Sequence, residues 1–334
     1  MQQPAMLYGT AWKGARTTAL VVHAVLAGFR DIDTACQPKH YRQELVGQAI
    51  EQLKTHHGIS RHQLWIQTKF ISLDGQDLSQ PLPYDKDAPL AQKVRQSFET
   101  SLKQLGTDYI DSLIMHSPMR TREETRAVWT EFEALVKSGK VREIGISNIY
   151  DLDLFDWCFE TFEIKPSSMS VDLAVRPSAE SENLTSSSRS PSQNRFVEEH
   201  LNFCAPILER LTQRVKDGQP MVRLQTFWTL TGNPEILRQL SPLQVFTFPE
   251  SKTGLKTSAQ ALYFLLMTAR RWPKGMIVPL TGTTSEQHMK DDMEVMRAVE
   301  ARSVGDGWKG EKKEMEDARA LVEKYIWTNS FTNA

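Results

Sequence analysis

Short runs of β-favouring residues alternate with segments of helical apolar period along almost the whole chain. That alternation constrains the fold more than any other feature, because it marks βαβ units and hence a parallel sheet. Seven runs stand out: Ala5–Tyr8, Phe29–Ile32, Leu64–Thr68, Tyr109–Met115, Val141–Ile146, Val222–Thr226 and Met276–Pro279. Between them, Val94, Phe98, Leu102 and Leu105 form one stripe at helical spacing, and Val128, Phe132, Leu135 and Val136 form another. Gly28, Gly106 and Gly139 fall where these helices should end, as a residue tolerant of left-handed backbone does at a C-terminal cap. The stripes are core faces, and nothing functional is read into them.

The interval from Ile146 to Val222 is too long for one βα unit, so an eighth strand is expected inside it. Composition changes there: SAESENLTSSSRSPS is rich in Ser, Glu and Asn, and residues 169–192 read as a disordered insertion. The strand comes either from Pro166–Met169 joined to Ser192–Phe196 across the insertion, or from Met169–Val175 with the loop following. On the first reading, removing residues 169–192 runs KPSS into QNRF and leaves Gln193 at the strand's carboxyl end, and deleting 170–191 is expected to keep stability and turnover. Asn183-Leu184-Thr185 matches a glycosylation sequon, which weighs little without a secretory signal. Eight βα units make residues 1–334 a single (β/α)8 TIM barrel domain, a fold that routinely uses this length. The tail, residues 305–334, is charged as far as Lys324 and then carries Tyr325, Ile326, Trp327 and Phe331, which are expected to pack on the barrel.

Forty basic against forty-one acidic side chains, with no basic run, exclude the electrostatic footprint of a nucleic-acid binder and favour a small-molecule partner. Cys36, Cys158 and Cys204 are odd in number and in no ligand spacing, so neither a disulfide framework nor a metal is expected. Apolar stretches such as Ala261–Ala269 fall well short of the ~20 residues of a membrane span. The polar start, Met1–Pro4, lacks the pattern of a signal peptide. A cytoplasmic monomer without membrane attachment is the expectation.

In parallel α/β folds, ligands and catalytic groups gather beyond the carboxyl ends of the strands. There this chain carries Asp33, Lys69, His116, then Ser147 with Asn148, and Gln193 at the candidate sixth strand. Each alone could be a turn cap, a solvated cation or a satisfied histidine. An Asp, a Lys and a His at three successive strand ends, however, need charge partners. Together they suit proton transfer to a carbonyl oxygen, which needs an acid near neutrality and donors aimed at developing negative charge. A free phenol, with a pKa of about 10, holds its proton too tightly; a nearby ammonium favours the phenolate, and a carboxylate holds the ammonium.

Six motifs sharpen this reading: Gly9-Thr10-Ala11-Trp12, GFRDIDTA at 28–35, LWIQTK at 64–69, DYIDSLIMHSP at 108–118, VREIGISN at 141–148 and GTTSEQHMKDD at 282–292. In order and spacing the chain resembles the aldo-keto reductase family from Gly9 to about Asp292. The resemblance implies an NADPH-dependent reductase of an aldehyde or ketone, with NADH also possible, whose catalytic tetrad is Asp33, Tyr41, Lys69 and His116. Tyr41 would protonate the carbonyl oxygen, Lys69 and Asp33 would tune it, and His116 would orient the carbonyl. Family members place the tyrosine five residues after the aspartate, where this chain has Pro38. Tyr41-Arg42-Gln43-Glu44-Leu45-Val46-Gly47 still matches the family's helix start, so a three-residue insertion within Cys36–His40 is implied. His40 is the rival donor.

By the same resemblance Gly9, Thr10 and Trp12 line the cofactor, and Ser147, Asn148 and Gln193 hold the nicotinamide carboxamide. Phe227 rather than Trp228 stacks on the ring. The adenosine end departs from the family: Leu280 and Thr281 follow Pro279 where many members carry a lysine, and His288 takes the place of an arginine. Thr281, Thr283 and the helix start near Ser285 remain as phosphate donors, and Asp291 and Asp292 as adenine or ribose contacts. Two other readings stand beside the reductase: a cofactor-binding barrel with regulatory or impaired activity, and a barrel enzyme using Lys69 as a Schiff-base nucleophile.

Overall fold

Strands of a parallel sheet are covered on both faces, so they read as continuous apolar runs, and Trp65–Phe70 and Ile110–Met115 are buried at every residue. The computed structural model of the chain describes residues 5–173, 204–240, 255–304 and 313–328. Eight strands form: β1 Leu7–Gly9, β2 Asp31–Asp33, β3 Trp65–Phe70, β4 Ile110–Met115, β5 Val141–Ser147, β6 Ser168–Asp172, β7 Arg223–Phe227 and β8 Ile277–Thr281. They follow one another in sequence order and close as a barrel, the (β/α)8 strand order. Ten helices are described: α1 Thr17–Ala27, α2 Gln43–His57, α3 Leu90–Leu105, α4 Arg122–Lys137, α5 Leu152–Thr161, α6 Cys204–Lys216, α7 Pro234–Leu240, α8 Ser258–Met267, α9 Glu286–Val304 and α10 Lys313–Thr328.

The sixth strand corrects one sequence expectation. Ser168, Met169 and Ser170 pair with Gly145, Ile146 and Ser147 of β5, and the strand runs on to Asp172. Residues 169–172 are therefore strand rather than insertion, and the reading based on Met169–Val175 is the one the register supports. A deletion of 170–191 would remove Ser170, whose carbonyl accepts from Asn148 N at 3.0 Å, so that deletion is not the neutral cut the sequence suggested. Gln193, the sequon and the body of the insertion lie outside the described residues.

The chain clusters into two compact units, Met1–Ser170 with Leu280–Met293, and Val171–Pro279 with Glu294–Ala334. In the first, α1, α2, α3 and α4 pack side by side over β1–β5. Gly106 ends α3 in the left-handed conformation, as its position suggested. Gly47 is where α2 meets α3: a Cβ there would fall on the backbone carbonyl of Gln104. Because backbone cannot yield as a flexible side chain does, Gly47→Ala is expected to cost about 3 kcal/mol. The measurement is the urea midpoint, and an unchanged midpoint would show that the helices separate freely. In the second unit, every residue from Gln260 to Met267 of α8 is buried. Against α8, α7 and α6 lies α10, burying Met315, Ala318, Val322, Tyr325 and Ile326. Thus the described part of the apolar tail packs within its own unit.

Candidate active site

Four strand ends of the first unit carry the residues that the sequence singled out. Asp33 and Ser147 are the last residues of β2 and β5, Lys69 is the penultimate residue of β3, and His116 follows β4. Lys69 Nζ donates to Asp33 Oδ1 and Oδ2, each at 2.6 Å, and to the Thr34 carbonyl at 2.9 Å. Both side chains are buried, so the carboxylate and the ammonium stabilise each other where water cannot. Gln67, two residues before Lys69 and so on the same strand face, donates to Asp33 Oδ1 at 2.7 Å and accepts from Ser112 at 3.1 Å.

The residues between Cys36 and Tyr41 form a tight turn. Both His40 N and Tyr41 N donate to the Gln37 carbonyl, at 3.3 and 3.0 Å, and Cys36 N reaches the Lys69 carbonyl at 3.4 Å. This turn takes up the extra residues and sets Lys69 Nζ 5.0 Å from the centre of the Tyr41 ring. At that distance the ammonium charge acts directly on the phenol. The net electrostatics differ from the simple expectation of a lowered phenol. Burial raises the Tyr41 pKa above its ordinary value, and the Lys69 ammonium opposes that rise without overcoming it. Burial also works against the Lys69 charge, but Asp33 and Tyr41 outweigh it and hold the lysine above its ordinary range. A lysine so held keeps its proton, which removes the free amine a Schiff-base nucleophile needs. Burial and, next, the charge of Lys69 push His116 down to about 3, so it is neutral at neutral pH.

Beyond the tetrad, Asn148 sits at φ 57, in the left-handed region that asparagine tolerates better than most residues. Its Nδ2 donates to the His116 carbonyl at 2.8 Å and its Oδ1 accepts from Tyr150 at 2.8 Å. Ser147 Oγ donates to the Ser170 carbonyl at 3.2 Å. At the other side of β1, Gly9 lies against Leu280 and Thr281, too close for a side chain. Thr10 Oγ donates to the Asp33 carbonyl at 2.9 Å, while Trp12 is exposed. Thr281 is buried, Thr283 Oγ accepts from Ser285 N at 3.1 Å, and Ser285 Oγ accepts from His288 N at 3.3 Å as α9 begins. His288 and Asp291 face outward to differing degrees, whereas Asp292 is buried. Phe227, half-buried, is the last residue of β7 in the second unit, and Trp228 follows it at φ 56.

The aldo/keto reductase family model matches residues 6–190, more than half of the chain. The chain belongs to the aldo/keto reductase family. It is 32% identical over 165 residues to the uncharacterized oxidoreductase YtbE of Bacillus subtilis (strain 168), covering 49% of this chain and 52% of that protein. It is 31% identical over 163 residues to the glyoxal reductase of the same organism, covering 49% and 51%. The chain therefore matches about half the length of these curated relatives. Among solved structures, the aldose reductase of Giardia lamblia superposes with a TM-score of 0.61 at 16% identity, covering all of this chain and 95% of that one. A Bombyx mori aldo-keto reductase in complex with NADP gives a TM-score of 0.62 at 16% identity, covering 99% and 92%. At these identities the structural likeness speaks for the fold.

At the β1–β8 side of this family member one residue, Lys13, escaped the sequence reading, and one that was named there, Asp292, has surroundings the sequence does not announce. Lys13, 7% exposed, donates to the Gly282 carbonyl, and among the described residues no carboxylate pairs with it. Burial, then Arg16, brings its pKa down to about 8. It follows Trp12 directly in the first motif, and that position was the available signal. Asp292 is 6% exposed, with Oδ2 lacking any hydrogen-bond partner, and burial pushes its pKa up to about 7, with the neighbouring Thr281 hydroxyl opposing the rise. An acid raised in the folded state binds its proton more tightly there than unfolded, so its effect favours folding below about pH 4 and declines as pH rises towards 7. Asp292→Asn is therefore expected to stabilise the fold above pH 7 by on the order of a few kcal/mol, seen as a higher melting temperature, and to change little near pH 4. Parallel melting curves at the two pH values check it, and an equal shift at both would refute the buried titration.

Proposed function

We propose that this chain is an NADPH-dependent carbonyl reductase, converting an aldehyde or ketone to an alcohol, with Tyr41 as proton donor. The observation that carries the reading is one arrangement: the buried Asp33–Lys69 pair with Lys69 Nζ 5.0 Å from the centre of the Tyr41 ring, and a His116 kept neutral by burial and by the Lys69 charge. A donor must hold its proton before reaction, and burial keeps Tyr41 protonated. As negative charge develops on the carbonyl oxygen, the phenol proton passes to it, and the phenolate left behind is stabilised by the Lys69 ammonium. Asp33, braced by Gln67, keeps that ammonium in place. Neutral His116 has a ring N–H to give the carbonyl oxygen without competing to become the charged group.

The residues fit a nicotinamide dinucleotide. The unpartnered Oδ2 of Asp292 is a buried acceptor awaiting a donor, and Lys13 is a buried cation awaiting an anion. When bound, the dinucleotide supplies the hydride. Ser147 and Asn148 would hold its carboxamide, and Thr281, Thr283 and the start of α9 its phosphate end, with Lys13 offsetting the lysine missing after Pro279. The NADP held by the Bombyx mori relative supports NADPH over NADH. The test follows NADPH and NADH absorbance over a panel of aldehydes and ketones. Carbonyl-dependent oxidation of NADPH supports the proposal, and its absence across the panel would favour a cofactor-binding barrel with impaired activity.

A further inference from the structure

Trp12 and His40 form a pair that hydride transfer leaves unused. Trp12 is 64% exposed, and its backbone sits at φ 56, a left-handed conformation that is uncommon and strained for a residue with a bulky side chain. One residue holds it there. Trp12 N donates to the His40 carbonyl at 2.7 Å and indole Nε1 donates to His40 Nδ1 at 3.0 Å. The two ring centres are 5.2 Å apart, tilted by 47°. Backbone strain persists only where the surroundings enforce it, and strained positions cluster at ligand clamps. His40 directly precedes Tyr41, and both backbone N–H groups donate to the Gln37 carbonyl of one turn. The bare indole is thus fixed through the residue adjoining the phenol in the chain.

We propose that His40 is a positioning residue that sets substrate choice through Trp12. It fixes the indole as a flat apolar wall for the substituent of the carbonyl substrate, so that aryl and other flat apolar carbonyls are favoured over small aliphatic ones. The proposal rests on the reductase reading. Indole faces attract flat rings by stacking, whereas a short alkyl chain gains little from them. The clamp requires His40 neutral with Nδ1 unprotonated, since only then does that nitrogen accept. Burial and the Lys39 charge keep His40 below its ordinary pKa, which holds the required form. The three extra residues before Tyr41 then have a use: they bring a side-chain acceptor to Trp12.

The test compares the full chain with His40→Leu, which keeps bulk and loses the acceptor, His40→Asn, which keeps an acceptor, and Trp12→Phe as reference. With benzaldehyde and NADPH, His40→Leu is expected to raise KM about fivefold to tenfold with kcat within about twofold, while propanal kinetics stay within about twofold. His40→Asn should recover most of the loss. In near-ultraviolet circular dichroism, His40→Leu should lose the band that Trp12→Phe loses, and His40→Asn should retain it. Equal KM changes for both aldehydes, a loss confined to kcat, or an unchanged Trp12 band would each overturn the proposal. If the unmodified protein reduces neither aldehyde, the reductase reading fails for them, and fluorescence quenching by 4-nitrobenzaldehyde decides the wall separately. Quenching lost in Trp12→Phe and weakened in His40→Leu supports it, and equal quenching in all four proteins overturns it.

Discussion

Replacing Tyr41 by phenylalanine is expected to lower carbonyl-dependent NADPH oxidation about 10²- to 10⁴-fold, the range that a positioned general acid contributes. The ring stays, and with it the contact over Lys69, so the change removes one oxygen and its proton from a site otherwise intact. Lys69 keeps Asp33 and the Thr34 carbonyl, so no charge is stranded, and the melting temperature should move by only a few degrees. Cofactor affinity, read from quenching of protein fluorescence by NADPH, should be preserved, because Lys13 and the β8 end do not involve this hydroxyl. Equal turnover in the two proteins would refute the donor. His40 would then be the next candidate, since it adjoins Tyr41 in the same turn.

How far the sequence reveals this site depends on which physical signal each residue leaves. Strands covered on both faces must be apolar, so β3, β4 and β5 were readable to within a residue or two. Strand β6 was harder. Its residues SMSVD mix small polar and apolar types and run directly into a segment of loop-like composition, so its end could not be told from the start of the insertion. The charges at the strand ends were readable jointly, because an Asp, a Lys and a His at three successive strand ends need charge partners although each alone has an ordinary use. Gln67 was not singled out, although its place two residues before Lys69 puts both on one strand face, and polar residues two apart in an apolar run are the sign of a lined interior. Tyr41 could be aligned by the helix start that follows it, but the turn on the Gln37 carbonyl that delivers it to Lys69 is a matter of backbone geometry. Net pKa directions were hidden for a related reason: they depend on burial, and burial won over the Lys69 charge at Tyr41. The Trp12–His40 clamp joins residues 28 apart through one ring nitrogen, which no local spacing announces.

The second large effect is expected at the buried pair. Lys69→Met should cost about 3–5 kcal/mol of stability, because it leaves the Asp33 carboxylate buried without its counter-ion. Gln67 remains as a donor to that carboxylate, but a neutral amide replaces little of the interaction with an ammonium 2.6 Å away. The double variant Asp33→Leu, Lys69→Met should regain most of the loss, since a well-packed apolar pair avoids desolvating two charges. Turnover should behave differently from stability, remaining low in both variants because neither offers an ammonium to a developing phenolate. The pH dependence follows from the sign of the shift. Lys69 is held above its ordinary pKa, so the stability it contributes is complete below about pH 10 and is lost as pH rises through the folded value. The gap between the native protein and Lys69→Met should therefore stay constant from pH 7 to 9 and close only in strongly alkaline solution. Urea unfolding of the three proteins, paired with their turnover, separates the two roles. Recovered stability with recovered turnover would show that the pair is structural and that the phenol needs no ammonium, whereas recovered stability alone assigns Lys69 to the chemistry.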